Sequence, residues 1–261
     1  MKFLLFFLFW LPLIAKEDLF QAKAYLLIDV YSQKIILSKN IYSIYPIASI
    51  TKLFTAQIVR DYFDKNEYIQ VPNIKLIYNS LESKANVKVG EEFLFLDLVF
   101  ALLLPSGNDV ARVFEYTLKQ RGYPFSKLAK EFLTKNQFLK TQISEPIGLS
   151  QNNVSSVNEI WKLLLLYFSD PLMYEILQQE EKIIYSKQKN PLFLKSRNPL
   201  PNYKQFFIYG KTGTTKKAGD CFAGFIVNRQ APKQIYGIVF LGAKDLKMEL
   251  EEFLEYLLKK S

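Results

Sequence analysis

From residue 24 the chain alternates apolar and polar positions around a polar Ser32–Gln33 pair, in AKAYLLIDVYSQKIILSKN. A two-residue period of this kind predicts antiparallel strands over 24–31 and 34–38. Pro46 breaks the pattern. Beyond it, ASITKLFTAQIVRDYF places apolar residues at Ile50, Leu53, Phe54, Ile58 and Phe63, the spacing of a helix with one buried face. The stretch 67–89 shows no firm period and reads as short strands and turns. GEEFLFLDLVFALLLPSGNDVARVFEYTLKQ predicts a hydrophobic helix up to Leu104, a break at Pro105-Ser106-Gly107 and a second helix from Asn108. Helical spacing returns over 125–139 and 157–168, with SEPIGLSQNN as the loop between. The C-terminal part reverts to strands in QFFIYGKTG, DCFAGFIVN and KQIYGIVFLGA. A last helix over 246–260 carries Leu246, Leu250, Phe253, Leu254, Leu257 and Leu258 on one side, as a helix covering a sheet would. The expected fold class is therefore α/β (α+β). One antiparallel sheet is built from both chain ends and flanked by helices, with a mainly helical lobe inserted roughly over 60–200.

At 261 residues, 49% hydrophobic, the chain can bury a sizeable core. The first fifteen residues, MKFLLFFLFWLPLIA, have the lysine, apolar run and small final residue of a secretory signal peptide. The expectation is export to the periplasm, with residues 16–261 as one domain and no β-rich domain after it. Leu13 is a poor residue near the cut, so an uncleaved anchor stays open as the alternative. The net charge of +9 comes from 34 basic residues, only five of them Arg. Such a balance fits either a base-composition bias or attraction to an anionic polymer or peripheral membrane surface. Nucleic acid is not expected as a partner, because the lysines are scattered with no basic stripe, zinc spacing or Gly-rich phosphate loop. Cys221 is the only cysteine, so no internal disulfide can form, and it reads as a small buried hydrophobe. With no histidine and no carboxylate cluster, neither a metal site nor a cofactor is expected.

The absence of histidine sharpens the reading of three short motifs. Ser49 and Lys52 stand at i and i+3, on one face of a helix start. A serine hydroxyl needs a base to become a nucleophile, and Lys52 is the nearest candidate. A free lysine titrates near pH 10.4 (about), so it must be desolvated or set near a second cation to act at neutral pH. Lys211-Thr212-Gly213, at the end of a strand and followed by Thr214, offers that cation. It also offers hydroxyls and a glycine that lets a substrate backbone approach. Ser106 and Asn108 sit at the helix break, where both can face a cleft. Glu145 reads as a loop carboxylate.

In this order and spacing, Ser49-x-x-Lys52, Ser106-x-Asn108 and Lys211-Thr212-Gly213 form the triple shared by penicillin-binding proteins and class A β-lactamases. The chain resembles the low-molecular-mass penicillin-binding proteins that act as D-alanyl-D-alanine carboxypeptidases and D,D-endopeptidases, over nearly its whole length. GEEFLFLDLVFALLLPSGNDVA, EPIGLS and KTGTTKKAGDCFAGF extend the likeness, whereas FSKLAKEFLTKNQFLKTQ matches loosely. The resemblance implies a penicillin-binding/β-lactamase-like transpeptidase fold and an acyl-enzyme formed on Ser49. Its substrate would be a peptidoglycan stem peptide, and β-lactams would be covalent inhibitors. By position, Lys52 would accept the serine proton and Ser106 would relay one to the leaving amine. Asn108 would bond the peptide stem; Lys211, Thr212 and Thr214 would hold a terminal carboxylate, Lys211 also keeping Lys52 neutral. The amides of Ser49 and Thr214 would form the oxyanion hole. Leu149 stands where a class A β-lactamase has an asparagine after its deacylating glutamate, which favours a peptidase over a β-lactamase or a non-catalytic binder. Carboxypeptidase is the first expectation and endopeptidase the alternative.

Overall fold

The computed structural model describes residues 20–76, 80–200 and 202–259, so the leader expected over 1–15 lies outside the described residues. Among the described residues, no helix is long and apolar enough to cross a membrane.

The N-terminal alternation becomes strands β1 (Ala24–Asp29) and β2 (Ile35–Lys39). The turn between them is held by the Asp29 carboxylate, which accepts from both the Ser32 amide and its hydroxyl at 2.7 Å. A short strand β3 (Ile44–Pro46) leads into a 3₁₀ turn, Ala48–Ile50, that runs directly into α1 (Thr51–Val59). Next come β4 (Tyr68–Gln70) and β5 (Glu92–Leu94), paired with each other, then α2 (Phe95–Leu103), α3 (Asn108–Gln120) and α4 (Phe125–Lys135). Strand β6 (Val154–Ser156) pairs with β3 and enters α5 (Val157–Phe168), followed by α6 (Pro171–Gln178). A hairpin of β7 (Glu181–Tyr185) and β8 (Pro191–Lys195) precedes β9 (Asn202–Tyr203) and three long strands, β10 (Phe206–Thr215), β11 (Gly219–Asn228) and β12 (Ile235–Ala243). Helix α7 (Leu246–Leu258) closes the described chain.

Among the described residues the main sheet has six strands in the order β2-β1-β12-β11-β10-β9, all antiparallel neighbours. It is the sheet of both chain ends that the pattern predicts. One face is covered by α7, whose Leu250, Phe253, Leu254 and Leu257 pack on Phe206, Ile208, Phe222 and Phe240. The other face meets the helices through a larger apolar cluster that includes Leu53, Phe54, Trp161, Tyr209 and Phe225. Cys221 is buried in that cluster, where desolvation pushes its thiol up to about 12 and makes it an inert hydrophobe.

The inserted segment is less purely helical than its spacing predicts. Glu92–Leu94 forms a strand at the front of the hydrophobic run, because three apolar-rich residues fit either period and pairing with Tyr68–Gln70 decides. The helix expected over 125–139 stops at Lys135, and the next residues turn, with Gln137 at φ 55°, so that Phe138 packs edge-on to Phe54 at 5.4 Å. Helix α6 is an element that hydrophobic spacing did not mark, although Asp170 caps it by accepting from the Leu172 and Met173 amides and Pro171 is its first residue.

Candidate active site

Ser49 sits in the 3₁₀ turn just before α1, held there by an unusual backbone. Ala48 has φ 46°, a left-handed conformation that costs a non-glycine residue roughly 1–3 kcal/mol. The loop after Glu145 fixes it from outside. Gly148, at φ 93°, lies so close that an added Cβ would stand 2.1 Å from the Ala48 carbonyl oxygen. Glu145 shapes this loop: its carboxylate accepts from the amides of Ile147 at 2.7 Å, Gly148 at 2.8 Å and Ser150 at 3.1 Å, and from Asn153 Nδ2 at 2.9 Å. With its oxygens committed to the loop, Glu145 is the structural carboxylate the sequence suggests. Asn153 Nδ2 also reaches Thr51 Oγ1 at 3.1 Å, tying the loop to the first turn of α1.

One turn on, Lys52 is fully buried, and its Nζ lies 3.1 Å from Ser49 Oγ, 2.8 Å from Asn108 Oδ1 and 2.7 Å from the Ile147 carbonyl oxygen. Its pKa is brought down to about 7, by burial first and by the Arg112 charge, against the opposing charges of Glu145, Asp109 and Glu82. A neutral lysine has two N–H donors and one lone pair. Asn108 Oδ1 and the Ile147 carbonyl can only accept, so they take both donors. The lone pair is left for the Ser49 hydroxyl, which then donates to Nζ. The geometry therefore sets a base against a nucleophile, in the sense that proton abstraction requires.

Asn108 opens α3 immediately after the break. The break brings Ser106 to φ 62°, buried, with its Oγ lacking a hydrogen-bond partner among the described residues. An orphaned buried hydroxyl of this kind is free to exchange a proton with an incoming group. Asp109 pins the preceding segment by accepting from the amides of Ala85 at 2.9 Å and Asn86 at 2.7 Å.

The opposite wall is β10. Gly213 presses on the 3₁₀ turn so closely that a Cβ there would stand 2.7 Å from the Ser49 amide nitrogen, so only glycine admits this approach. Two residues earlier on the same strand face, Lys211 is buried, with Nζ donating to the Thr212 carbonyl at 2.8 Å. Its pKa falls well below the ordinary lysine value, through burial first and then repulsion from Lys52 and Arg197.

Two parts of the expected site differ from this arrangement. The cation expected to keep Lys52 neutral was Lys211; burial is instead the leading cause for both amines, and their repulsion bears on Lys211. Thr212 and Thr214 alternate to the strand face opposite Lys211 and Gly213. The Thr214 hydroxyl gives its one hydrogen to Asp220 Oδ1 at 2.7 Å, so it has none left for a carboxylate. Residues that the motifs did not mark, Ile147 through its carbonyl, Glu82 and Arg112, complete the surroundings of Lys52 and Asn108. No group of His, Cys, Asp or Glu able to hold a metal ion occurs among the described residues.

Known proteins resemble this chain in sequence and in fold. A D-alanyl-D-alanine endopeptidase of Pseudomonas aeruginosa is 33% identical over 206 residues, covering 75% of this chain and 64% of its own length. One of Escherichia coli is 28% identical over 204 residues, with the same coverage of 75% and 64%. The chain thus spans a little under two thirds of the length of these relatives. A crystal structure of an evolved penicillin-binding protein homologue from Mycobacterium tuberculosis superposes with a TM-score of 0.78 at 18% identity, covering 93% of each chain, which establishes the penicillin-binding fold. The sequence profile of the D-alanyl-D-alanine carboxypeptidases matches residues 13–243, all three motifs included, and the chain belongs to that family of serine peptidases.

Proposed function

We propose that the protein is a serine D,D-peptidase of peptidoglycan stem peptides, acting first as a D-alanyl-D-alanine carboxypeptidase. The observation that carries this reading is the triple contact of Lys52 Nζ, which leaves its lone pair facing Ser49 Oγ. In the reaction, Lys52 takes the Ser49 proton as Oγ attacks the carbonyl of the penultimate D-alanine. The oxyanion is held by the amides of Ser49 and Thr214; losing one such donor typically costs about 3–4 kcal/mol. As the tetrahedral intermediate collapses, the C–N bond breaks and the leaving amine gains a proton through the Ser106 hydroxyl. Water then hydrolyses the acyl-enzyme and releases Ser49. Lys211 answers the terminal carboxylate: the approaching negative charge favours its protonated form, offsetting the burial that disfavours it. The strand backbone assists, with Asn108 bonding the stem. β-Lactams would acylate Ser49 in the same way, and the leader over 1–15 would deliver the enzyme to the periplasm.

A second reading, a D,D-endopeptidase that opens cross-links, is favoured by the names of the Pseudomonas aeruginosa and Escherichia coli relatives. Incubating the protein with a stem pentapeptide and with a cross-linked dimer separates the two. Released D-alanine from the pentapeptide supports the carboxypeptidase, and cleavage of the dimer alone the endopeptidase. If neither substrate is cut and no fluorescent penicillin is bound, the D,D-peptidase reading fails.

A further inference from the structure

Asn108 has two ends, and the role proposed for it requires them to face particular ways. Its Oδ1 accepts from Lys52 Nζ at 2.8 Å, and its Nδ2 donates to Glu82 Oε2 at 3.1 Å. An ionised carboxylate only accepts, so a Glu82 carboxylate in contact with this amide admits the nitrogen end and excludes the oxygen end. Reversing the amide would set Oδ1 against the Glu82 carboxylate, an acceptor facing an acceptor, and would let Nδ2 donate into the Lys52 lone pair that Ser49 needs. Glu82 is itself held: Arg112 Nη1 lies 2.7 Å from Oε2, and both side chains are about nine-tenths buried, at 10% and 8% exposure. Arg112 also donates to the Leu76 carbonyl. The segment bearing Glu82 is fastened to the start of α3, with the Asn108 backbone N–H donating to the Ser83 carbonyl at 2.9 Å and the Asp109 carboxylate accepting from the backbone amides of Ala85, Asn86 and Val87.

We propose that Glu82, paired with Arg112, is a positioning residue for the acylation step: it fixes the Asn108 amide so that Oδ1 consumes a Lys52 N–H and the Lys52 lone pair stays on Ser49. This rests on the D,D-peptidase reading. Nδ2 carries two hydrogens, so one goes to Glu82 and the other remains for the peptide stem. Glu82→Gln removes the orienting power, because a carboxamide can donate or accept and so tolerates either amide orientation. It also removes a negative charge near Lys52. The charged groups acting on Lys52 are Glu145, Asp109, Arg112 and Glu82, with Lys211 repelled by it across the cleft. Because the Glu82 charge raises the Lys52 pKa, its removal lowers that pKa.

The test measures the rate of Ser49 acylation by a fluorescent penicillin from pH 5 to pH 10, with thermal melting of each variant as the check on folding. Glu82→Gln should lower the plateau rate about tenfold, the low end of what one hydrogen bond to a charged group is worth. It should also move the rising limb of the profile to lower pH. Glu82→Asp keeps the charge, so its limb should stay in place and part of the rate should return. In an Asn108→Ala background the Glu82→Gln effect on the plateau should shrink below about twofold, since the amide it orients is gone. An unchanged plateau and limb in folded Glu82→Gln, or an equal tenfold loss in the Asn108→Ala background, overturns the proposal. Should Glu82→Gln fail to fold, Glu82→Asp decides: a limb displaced to lower pH overturns it. Absence of labelling in the wild-type protein, together with no cleavage of either peptide substrate, instead rejects the D,D-peptidase reading.

Discussion

On the α7 side of the sheet, Phe253 meets Phe20, Phe240 and Tyr25 with ring centroids 4.0, 4.6 and 5.6 Å away, and Glu249 is buried there with its carboxylate accepting from the Ala22 amide at 2.9 Å. On the side facing the helices, Lys52, Lys211, Ser106 and Asn108 lie buried within one neighbourhood, two of its backbone positions, Ala48 and Ser106, being left-handed non-glycine residues. One layer spends its burial mostly on apolar packing, with the Glu249 carboxylate as its buried charged group; the other buries two amines and an orphaned hydroxyl in one cleft, groups that cost free energy wherever they are not fully paired. Strain and unmatched polar groups of this kind persist only where surrounding structure over-determines them. The comparison therefore separates a layer that stabilises from a layer that the first must support.

The largest effect expected is on the helical side. Ser49→Ala should abolish covalent labelling by fluorescent penicillin while leaving the melting temperature nearly unchanged, because a single hydroxyl at the cleft is lost and no packing. Residual covalent label on that variant would place the nucleophile elsewhere. On the α7 side, Phe253→Ala should destabilise the protein by about 3–5 kcal/mol in denaturant unfolding, the cost of an aromatic cavity. It should leave the acylation rate of the folded fraction unaltered; a matching fall in that rate would mean that the two layers are not separable. Gly213→Ala should slow acylation roughly a hundredfold, as displacing a catalytic wall by about 1 Å can do. Its Cβ must push the Ser49 amide away, and normal rates would show that β10 does not press on the turn as described.

The smallest effect is a matter of pH. Lys52 acts as a base only when neutral, and its pKa is depressed to about 7, so acylation should rise through pH 7 and fall about tenfold per unit below it. A profile flat from pH 5 to pH 9 would assign the base to another group. The same depression has a sign for stability. Between about 7 and the unfolded lysine value of about 10.4, the unfolded chain holds the proton that the folded one has released. The burial penalty is thus complete below pH 7 and is relieved as pH rises through that window.

Much of this was legible in the chain. The end strands, the i, i+3 placement of Ser49 and Lys52 and the break at Ser106 all follow from period and helix geometry, whereas Gly213, expected to admit a substrate backbone, makes room for the Ser49 turn instead. Glu145 as a loop carboxylate was legible too. The acceptor at Ile147 was not, because a backbone carbonyl leaves no trace in side-chain identity. Neither was Glu82, whose partners Asn108 and Arg112 lie 26 and 30 residues away. The hydroxyl of Thr214 pointed elsewhere than expected, since a motif names residues without saying which strand face each one takes.

The sequence alone determined most of the element pattern, the sheet drawn from both ends and which side chains are candidates for nucleophile and base, because these rest on periodicity and on which side chains can do the chemistry. The tertiary structure decided how neutral Lys52 becomes and where its lone pair points. Desolvation depends on everything packed around an atom, and a hydrogen-bond count depends on which acceptors the fold brings within 3 Å or so. Both are properties of the assembled cleft, and no local stretch of residues contains them.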